Sequence, residues 1–370
     1  MLALSQLKSQ NRQLLLFRNI VPFPRLLAGC ASFPFEYFGR SGKASLPWAI
    51  NLLITSRCNL HCEMCHIDRS KFCLKDEELG LNDIKAFIKD VSKSKAHIFL
   101  GGGEPFLRED IFEIIRFIKN YGLTCGICTN GTLLDENKIK ELVDLEPLFI
   151  IFSLQGTRDI HDKVTGVPGS YDILFKNIKT IASLKKRPRL IINCAITNSN
   201  LHHLKEIVEI AQLLKVDMFR FENLNFLTDS EAMAHYRVWR QDFQEKDDMR
   251  LSSYITNISN YEDYCNSIKA IEKVKNGFKM PIYVKPYLDD SELRSWYSDN
   301  FKTRRKCFFL WRSLFISPNG DILPCQFLVY KLGNIKTDSL GEIWNSKRYR
   351  DLRLRLKRGL FPGCSRCCKL

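Results

Sequence analysis

The chain has 370 residues, of which 45% are hydrophobic, and it carries 56 Lys and Arg against 41 Asp and Glu. This length and apolar content suit two or three domains, or one large α/β barrel with an appendage. No run of about 18 apolar residues marks a membrane-spanning helix. The formal charge of +15 favours an anionic partner, and the lack of finger, arm or aromatic-basic repeat motifs argues against nucleic acid.

Residues 1–46 form an N-terminal extension that is apolar, aromatic and basic, with clusters at Leu14–Phe17 and Phe33–Phe38. The start lacks the apolar region and the cleavage site of a signal peptide, so we predict a cytoplasmic protein. Two interpretations of the extension are open. It packs against the rest of the fold, or it lies on a membrane surface as basic helices with aromatic faces do.

Strand-like and helix-like runs alternate from residue 47 to residue 228. The predicted strands are Trp48–Ile54, His97–Leu100, Thr124–Cys128, Leu148–Ser153, Leu190–Ile196 and Met218–Glu222. The predicted helices are Leu81–Val91, Asp110–Tyr121, Glu136–Asp144, Tyr171–Leu184 and His202–Leu214. Short strands separated by helices of about ten to fifteen residues indicate parallel βαβ units. The predicted fold class is α/β, with a partial (β/α)6 barrel over residues 47–228.

The βα alternation stops after residue 228. Residues 229–300 read as a helical connector with a helix at Tyr261–Lys275 and a strand at Ile282–Tyr287. A small α+β module occupies residues 301–370. These boundaries are expectations from composition and pattern.

Seven of the 14 cysteines fall into two groups whose spacings suit iron. Cys58, Cys62 and Cys65 form a CxxxCxxC triplet directly after the first strand. The other group consists of Cys307, Cys325, Cys364 and Cys367, with Cys368 as a neighbour. Three thiolates cannot saturate a four-iron cluster, so the triplet implies one iron that is open to an outside ligand.

Polar and glycine residues follow the carboxyl ends of several predicted strands. Gly102, Gly103 and Glu104 follow the second strand, Thr129 and Asn130 end the third, and Ser153 ends the fourth. In parallel βα barrels active sites are assembled at that rim. For Thr129, Asn130 and likewise Asn198 and Asn200, ligand contact and simple turn chemistry are both open.

These motifs together resemble the radical S-adenosylmethionine (SAM) enzymes with a C-terminal SPASM or shortened twitch extension. The matching segments are Cys58-x-x-x-Cys62-x-x-Cys65, Gly102-Gly103-Glu104-Pro105, Ser153 to Tyr171, Gly320-x-x-x-x-Cys325 and Cys364-x-x-Cys367. The resemblance covers about residue 47 to the end. It implies a [4Fe-4S] cluster that binds SAM, reductive cleavage of SAM to a 5′-deoxyadenosyl radical, and hydrogen abstraction from a substrate.

The resemblance also assigns expected roles to single residues. Cys58, Cys62 and Cys65 are the expected ligands of the SAM-binding cluster. Met64 is expected near the SAM adenine, Gly102, Gly103 and Glu104 at its amino group, and Ser153 at its ribose or carboxylate. Many relatives have aspartate and arginine where this chain has Gln155 and Thr165, and Lys163 is a candidate replacement for the arginine.

The C-terminal cysteines are expected to hold one auxiliary [4Fe-4S] cluster, with Cys307, Cys325, Cys364 and Cys367 as ligands. The choice between Cys367 and Cys368 is open. Four thiolates serve zinc equally well, so a tetrahedral zinc site is the competing interpretation. The remaining cysteines, including the pair Cys125 and Cys128, are interpreted as buried packing residues.

Basic runs at Lys302–Lys306 and Lys347–Arg358 are either solvated faces or a docking surface for an acidic electron donor such as a ferredoxin or flavodoxin. The predicted function is hydrogen abstraction from a peptide or protein, or from a small molecule or lipid. A non-catalytic electron-transfer or scaffold protein is the alternative. The intact Gly-Gly-Glu motif argues against that alternative, because an electron carrier has no need to bind SAM.

Overall fold

The computed structural model describes residues 32–65, 77–243, 261–298 and 301–370. One sheet of ten strands runs through this part of the chain in the order β10-β9-β8-β1-β2-β3-β4-β5-β6-β7. The strands are β1 Ala49–Thr55, β2 His97–Gly102, β3 Thr124–Thr129, β4 Phe149–Ser153, β5 Arg189–Ala195, β6 Met218–Glu222, β7 Ile282–Lys285, β8 Ser313–Ile316, β9 Asp321–Leu323 and β10 Gly333–Asn334.

The six predicted strands are all present and pair in parallel from β1 to β6, which confirms the predicted α/β barrel core. The helices that connect or follow these strands are α1 Leu81–Val91, α2 Ile111–Asn120, α3 Glu136–Asp144, α4 Arg158–Thr165, α5 Ser170–Ser183, α6 Leu204–Leu213, α7 Asp229–Phe243, α8 Tyr261–Val274, α9 Asp290–Trp296, α10 Phe309–Arg312, α11 Leu340–Trp344 and α12 Lys347–Arg358. Each βα crossover buries apolar side chains between helix and sheet.

The sheet has an outer face toward the helices and an inner face toward the lumen of the partial barrel. Along β5 the outward Leu190, Ile192 and Cys194 are fully buried, whereas Asn193 between them is only half-buried. The alternation follows from the two-residue period of a strand. Apolar residues therefore build the outer core, and polar side chains line the lumen on this side.

A tight contact closes the inner face near the start of the strands. Gly126 on β3 lies beside Phe149 on β4, and a Cβ atom on Gly126 would stand 2.2 Å from Cε2 of Phe149. The ring of Phe149 lies 5.2 Å from that of His97 on β2. Glycine leaves the space in which this ring lies across the lumen floor.

The sheet extends beyond the predicted barrel at both edges. β7 from the connector pairs in parallel with β6, and β8 from the C-terminal region pairs in parallel with β1. β9 and β10 then continue the sheet as antiparallel strands. Both later regions thus join the barrel sheet through main-chain hydrogen bonds.

A short helical segment at 32–38 packs one face on the C-terminal region. The ring of Phe33 meets that of Phe308 at 5.2 Å, and Tyr37 meets Trp311 at 5.5 Å. The opposite face exposes Phe35 at 82% and Phe38 at 78%. The predicted cluster at Leu14–Phe17, together with Cys30 and Cys73, lies outside the described residues. None of the described helices is long and apolar enough to cross a bilayer.

Candidate active site at the barrel rim

The cysteine loop leaves β1 at Thr55 and lies at the carboxyl ends of the parallel strands. Cys58 and Cys62 are half-buried and Cys65 is exposed. The amide of Leu60 donates to Sγ of Cys58 at 3.4 Å, and the amide of Cys65 donates to the carbonyl of Cys62 at 3.1 Å. The loop is therefore folded by local backbone contacts that leave its thiols near the rim.

Gly102 and Gly103 allow β2 to pass directly against this loop. A Cβ atom on Gly102, which has a φ of 130°, would stand 2.2 Å from the carbonyl oxygen of Thr55, and one on Gly103 would stand 2.0 Å from that of Arg57. The amide of Gly103 donates to the Thr55 carbonyl at 2.9 Å. The two glycines thus let the backbone of β2 lie directly against that of the cysteine loop. Their expected position at the SAM amino group stays a prediction.

Glu104 is fully buried and ties three segments together. Its Oε1 accepts from Thr129 Oγ1 at 2.7 Å and from the Phe106 amide at 3.1 Å, and its Oε2 accepts from the Asn130 amide at 2.7 Å. Burial raises the pKa of this carboxyl to about 7, while these hydrogen bonds act in the opposite direction. A carboxylate has about four lone-pair sites, so one site on Oε2 stays open to a further donor.

Thr129 and Asn130 support the site from β3. The side-chain amide of Asn130 lies 3.9 Å from Sγ of Cys58 and donates to Oδ1 of Asn59 at 2.9 Å. Its Oδ1 accepts from Thr132 at 2.9 and 2.7 Å. Their described hydrogen bonds go to Glu104, to the cysteine loop and to their own turn, so both residues support the site, and ligand contact by them stays a prediction.

Two further residues that brace the loop were missed in the sequence analysis. Oε1 of Glu78 accepts from Thr55 Oγ1 at 2.7 Å and from the Ser56 amide at 2.9 Å. Arg108 is buried and donates from Nη1 to the carbonyls of Ile54 and Leu79, both at 2.9 Å. No motif marks either residue, because their partners lie 22 to 54 positions away.

The far side of the loop rests on α4. The His61 amide donates to the Thr165 carbonyl at 2.8 Å, and the Glu63 amide to the Val164 carbonyl at 2.9 Å. Thr165 is buried, with its hydroxyl 2.8 Å from both the His161 carbonyl and Ser170 Oγ. Thr165 therefore supports the loop, while Lys163 is exposed on the same helix.

Gln155 and Asn200 form a buried polar link between β4 and β5. Gln155 Oε1 accepts from the Ala195 amide at 2.9 Å, and Asn200 Nδ2 donates to the Gln155 carbonyl at 2.8 Å. Asn198 accepts from the hydroxyl of Tyr264 at 2.9 Å. These contacts favour the structural interpretation of all three residues. Met64, by contrast, is half-buried in the cysteine loop.

The inner wall below the rim carries a thiol and several charges. Cys128 was interpreted as packing, but register pairs it with Ile151 on the lumen side, and it shares a hydrogen bond with Ser153. Burial raises the pKa of Cys128 to about 11, and nearby Arg220 opposes that rise. Its partner in the sequence pair, Cys125, is buried in the outer core. Only Cys125 therefore fits the packing interpretation.

The five C-terminal cysteines lie near one another, since the thiol of Cys325 interacts electrostatically with those of Cys307, Cys364 and Cys367, and Cys367 shares a hydrogen bond with Cys368. The amides of Phe327 and Lys369 donate to Sγ of Cys325 and Cys367, each at 3.4 Å. Burial first, and then the thiol of Cys325, raise the pKa of Cys307 to about 11. The backbone amide of Cys368 donates to Oδ1 of Asn225 at 3.1 Å, and its thiol shares a hydrogen bond with that of Cys367.

Much of the predicted basic surface binds the chain itself. Arg353 on α12 is fully buried and donates to the carbonyls of Leu310 and Gly42 at 2.9 and 3.0 Å. Lys357 donates to the Gly39 carbonyl at 2.7 Å. Arg305 likewise binds Glu292, with Nη2 and Oε2 separated by 2.7 Å. These three cations bind groups of the chain itself, so for them neither a solvated face nor a docking surface is the right description.

Two family models match the chain. The model of the radical SAM superfamily matches residues 52–211, and that of an iron-sulfur cluster-binding domain, SPASM, matches residues 307–368. These ranges contain the rim cysteines and the C-terminal cysteines respectively. The chain belongs to the radical SAM enzymes with a C-terminal SPASM domain. Its cofactors are a [4Fe-4S] cluster and SAM, and its SPASM domain binds additional iron-sulfur clusters.

Curated relatives extend over most of the chain. The tungsten-containing aldehyde ferredoxin oxidoreductase cofactor-modifying protein of Pyrococcus furiosus is 28% identical over 348 residues, covering 85% of this chain and 86% of the relative. The AdoMet-dependent heme synthase of Methanosarcina barkeri is 26% identical and covers 81% of this chain and 83% of the relative. The PqqA peptide cyclase of Rhodopseudomonas palustris is 25% identical and covers 82% and 76%.

Solved structures share the fold. Streptococcus suis SuiB bound to precursor peptide SuiA superposes with a TM-score of 0.66 at 16% identity, over 94% of this chain and 81% of that one. The anSMEcpe structure with bound AdoMet superposes with a TM-score of 0.59 at 18% identity, over 87% and 88%. At this identity the likeness establishes the fold and nothing about substrate.

Proposed function

We propose that the chain abstracts hydrogen from a substrate held in the barrel lumen, using SAM at a [4Fe-4S] cluster bound by Cys58, Cys62 and Cys65. When bound, this cluster supplies one electron to SAM, and homolysis of the 5′ C–S bond gives the abstracting radical. The observation that carries the proposal is the braced cysteine loop, whose backbone is hydrogen-bonded to the Gly-Gly-Glu segment and to α4. Such bracing holds thiolate ligands in a fixed geometry.

The residues around the loop receive positioning and binding roles in this proposal. Glu104 accepts a hydrogen bond from the ammonium of SAM on the remaining lone pair of Oε2. Gly102 and Gly103 keep the backbone that leads to Glu104 next to the cysteine loop. Thr129 and Asn130 hold Glu104 and Cys58. Ser153 is placed for the ribose or carboxylate of SAM, and Met64 for the adenine. Closure of the lumen floor by Phe149 helps to exclude water from the radical.

For the SPASM domain we propose one auxiliary [4Fe-4S] cluster held by Cys307, Cys325, Cys364 and Cys367. Four soft thiolates in a buried site suit such a cluster. A single zinc ion requires sulfur atoms about 2.3 Å from one point. The family model that matches residues 307–368 describes an iron-sulfur cluster-binding domain, which supports a cluster over zinc. We prefer Cys367 to Cys368 because its Sγ accepts a backbone amide at 3.4 Å, as does the Sγ of the proposed ligand Cys325.

Two substrate classes have support. Relatives named as peptide cyclase, and a fold neighbour bound to its precursor peptide, favour a peptide or protein. Relatives named as heme synthase and cofactor-modifying protein favour a small molecule. Exposed Phe35 and Phe38 give a lipid-linked substrate and peripheral membrane contact some support. We also propose that the chain divides after residues 46, 228 and 300 into an N-terminal extension, the barrel core, a helical connector and the C-terminal module.

An acidic electron donor, a ferredoxin or flavodoxin, is the proposed redox partner. The exposed Arg348 and Arg358 on α12 leave positive charge on the surface near the SPASM domain. Complementary charge speeds such encounters and makes them depend on salt. Cross-linking to an acidic donor at low and high salt tests this partner.

The enzyme claim is tested by incubating reduced, reconstituted protein with SAM under anaerobic conditions and measuring 5′-deoxyadenosine. The wild-type chain should form it above background, and Cys62→Ala should abolish it while retaining auxiliary iron. Cys325→Ala is the matched variant, which should lose auxiliary iron and keep the SAM-dependent signal of the rim cluster. Wild-type protein that forms no product, or iron whose electron paramagnetic resonance ignores SAM, would favour the electron-transfer alternative.

A further inference from the structure

The inner wall formed by β5, β6 and β7 carries charges that the proposed chemistry at the rim does not use. Phe219 and Phe221 of β6 are fully buried on the outer face, so Arg220 and Glu222 point to the lumen. Register places Lys285 of β7 beside Glu222. Neighbours in register share a face, so Lys285 also points inward.

The guanidinium of Arg220 is held in place through its Nε atom. Its Nε donates to Oδ1 of Asn193 at 2.7 Å and lies 3.4 Å from Oε1 of Glu222. Among the described residues these are its polar partners, so neither terminal nitrogen is hydrogen-bonded within this part of the chain. The side chain remains 19% exposed. A guanidinium with its two terminal nitrogens available is suited to bidentate binding of a carboxylate.

Lys285 adds a second cation to this wall. Its ammonium makes no hydrogen bond or ion pair with any residue that the structure describes. Burial lowers the pKa of Lys285 to about 8, and the charge of Arg220 acts in the same direction. Enclosing two cations beside the single carboxylate of Glu222 is unfavourable, and a bound anion offsets that cost.

The charge of this wall indicates the kind of anion. Arg220 and Lys285 contribute two positive charges and Glu222 one negative charge, and the charge of Lys369 also acts on Lys285. Glu222 would repel a phosphate dianion more strongly than a monoanion. A carboxylate is the monoanion that also fits a guanidinium fork.

We propose that Arg220 and Lys285 form a subsite that binds a carboxylate of the substrate on the lumen wall. Asn193 and Glu222 hold the guanidinium in place. The subsite rests on the proposed function, because it requires a substrate in the lumen. It narrows the substrate to a molecule with a carboxylate, which is either a small acid or the terminal or side-chain carboxylate of a peptide.

The test uses reconstituted holoprotein with SAM bound and two matched probe pairs. Hexanoate is compared with hexanamide, and a short peptide with a free C-terminus with its C-terminal amide, by saturation-transfer NMR and calorimetry. At least one carboxylate should bind, with its amide about tenfold weaker or worse. Which pair shows this selectivity distinguishes a small acid from a peptide.

Variants assign the binding to these side chains. Arg220→Met and Lys285→Met should each weaken the selective carboxylate by about tenfold, and Arg220→Lys should recover part of the affinity. Lys205→Met, on the outer helix α6 where Lys205 pairs with Glu209 at 3.3 Å, should bind like wild type. Equal binding of carboxylate and amide, or variants that bind like wild type, would overturn the subsite.

A second measurement separates the substrate from SAM, which has a carboxylate of its own. In the wild-type holoprotein, raising SAM tenfold above saturation should change the affinity of the selective carboxylate probe by less than about twofold. Displacement of the probe by added SAM would assign the site to the SAM carboxylate and overturn the proposal. A wild-type protein that forms no 5′-deoxyadenosine would refute the proposed function. The probe titration measures binding alone, so its result tests the subsite whether or not that product forms.

Discussion

Asn130, at the end of β3, reaches across the rim to Cys58, with its Nδ2 atom 3.9 Å from the cysteine Sγ. The same nitrogen donates to Oδ1 of Asn59 in the cysteine loop at 2.9 Å, and the backbone amide of Asn130 donates to Oε2 of Glu104 at 2.7 Å. One asparagine thus connects the proposed cluster ligand with the carboxylate proposed to bind SAM.

Asn130→Ala should therefore weaken retention of the rim cluster. Outer contacts of metal ligands typically contribute tenfold or more to metal affinity, so iron release to a chelator should be about tenfold faster. The measurement follows iron loss from anaerobic protein. Asn198→Ala removes an amide that accepts from Tyr264 at 2.9 Å and should leave the rate unchanged. Identical rates for both variants would contradict the link.

Glu104→Gln should destabilise the fold even without cofactors. The carboxylate accepts three hydrogen bonds, and an amide would turn a donor toward one of those donors. The expected cost is about 1–3 kcal/mol in urea unfolding of cluster-free protein. Glu113→Gln, at a side chain 48% exposed, should change stability by less than about 0.5 kcal/mol. A Glu104→Gln protein as stable as wild type would refute the bracing role.

Gly126→Ala should strain the lumen floor. The new methyl group would overlap the Phe149 ring at 2.2 Å, and such overpacking costs about 1–3 kcal/mol. Phe149→Leu removes the overlapping ring atoms, so the double variant should lose less than the sum of the single changes. Additive losses in thermal unfolding would show that the two residues do not compete for space.

Two buried histidines should make the fold sensitive to mild acid. Burial lowers the pKa of His97 and of His161 to about 4 in each case. Unfolded chains bind these protons near pH 6.5, so the unfolded state gains protons first and stability falls as pH drops from about 6.5 to 4. Each residue contributes at most about 3 kcal/mol to this loss.

Urea unfolding of cluster-free protein at pH 7 and pH 5 measures this effect. His97→Gln removes one titrating group and should reduce the difference in unfolding free energy between the two pH values. His202→Gln changes a side chain that is 64% exposed and serves as the control. Glu104, whose pKa is raised to about 7, acts in the opposite direction over this range, so the deciding comparison is between variants: an unchanged difference in His97→Gln would contradict the assignment.

The barrel core could be predicted closely because its signals are local. Apolar runs and helical periodicity gave the six strands and five of the helices to within a few residues, but not the short helix α4. The strand β6 Met218–Glu222 was predicted at its observed bounds. The cysteine triplet could also be recognised from the sequence, because its three cysteines lie within eight consecutive residues of one loop. The prediction that β7 is a strand was also correct, although its pairing with β6 was not foreseen.

The supporting residues could not be predicted because their partners are distant in sequence. Arg108 contacts a carbonyl 54 residues earlier, and Arg353 one that lies 311 residues earlier. Arg220 and Glu222 did carry a usable signal, because they alternate with Phe219 and Phe221 on a predicted strand. The two-residue period of β6 alone was sufficient to place both charges on one face.

The pairing of β8 with β1 has a mechanical consequence. β1 leads into the rim cysteines and β8 follows Cys307, and four residue pairs from Ala49–Ser313 to Leu52–Ile316 hold these strands in register. The spacing between the two iron-binding regions is therefore set by a main-chain ladder and not by a flexible tether. Removing the C-terminal region would leave β1 as a bare edge open to self-association, so the region works as an integral wall of the barrel.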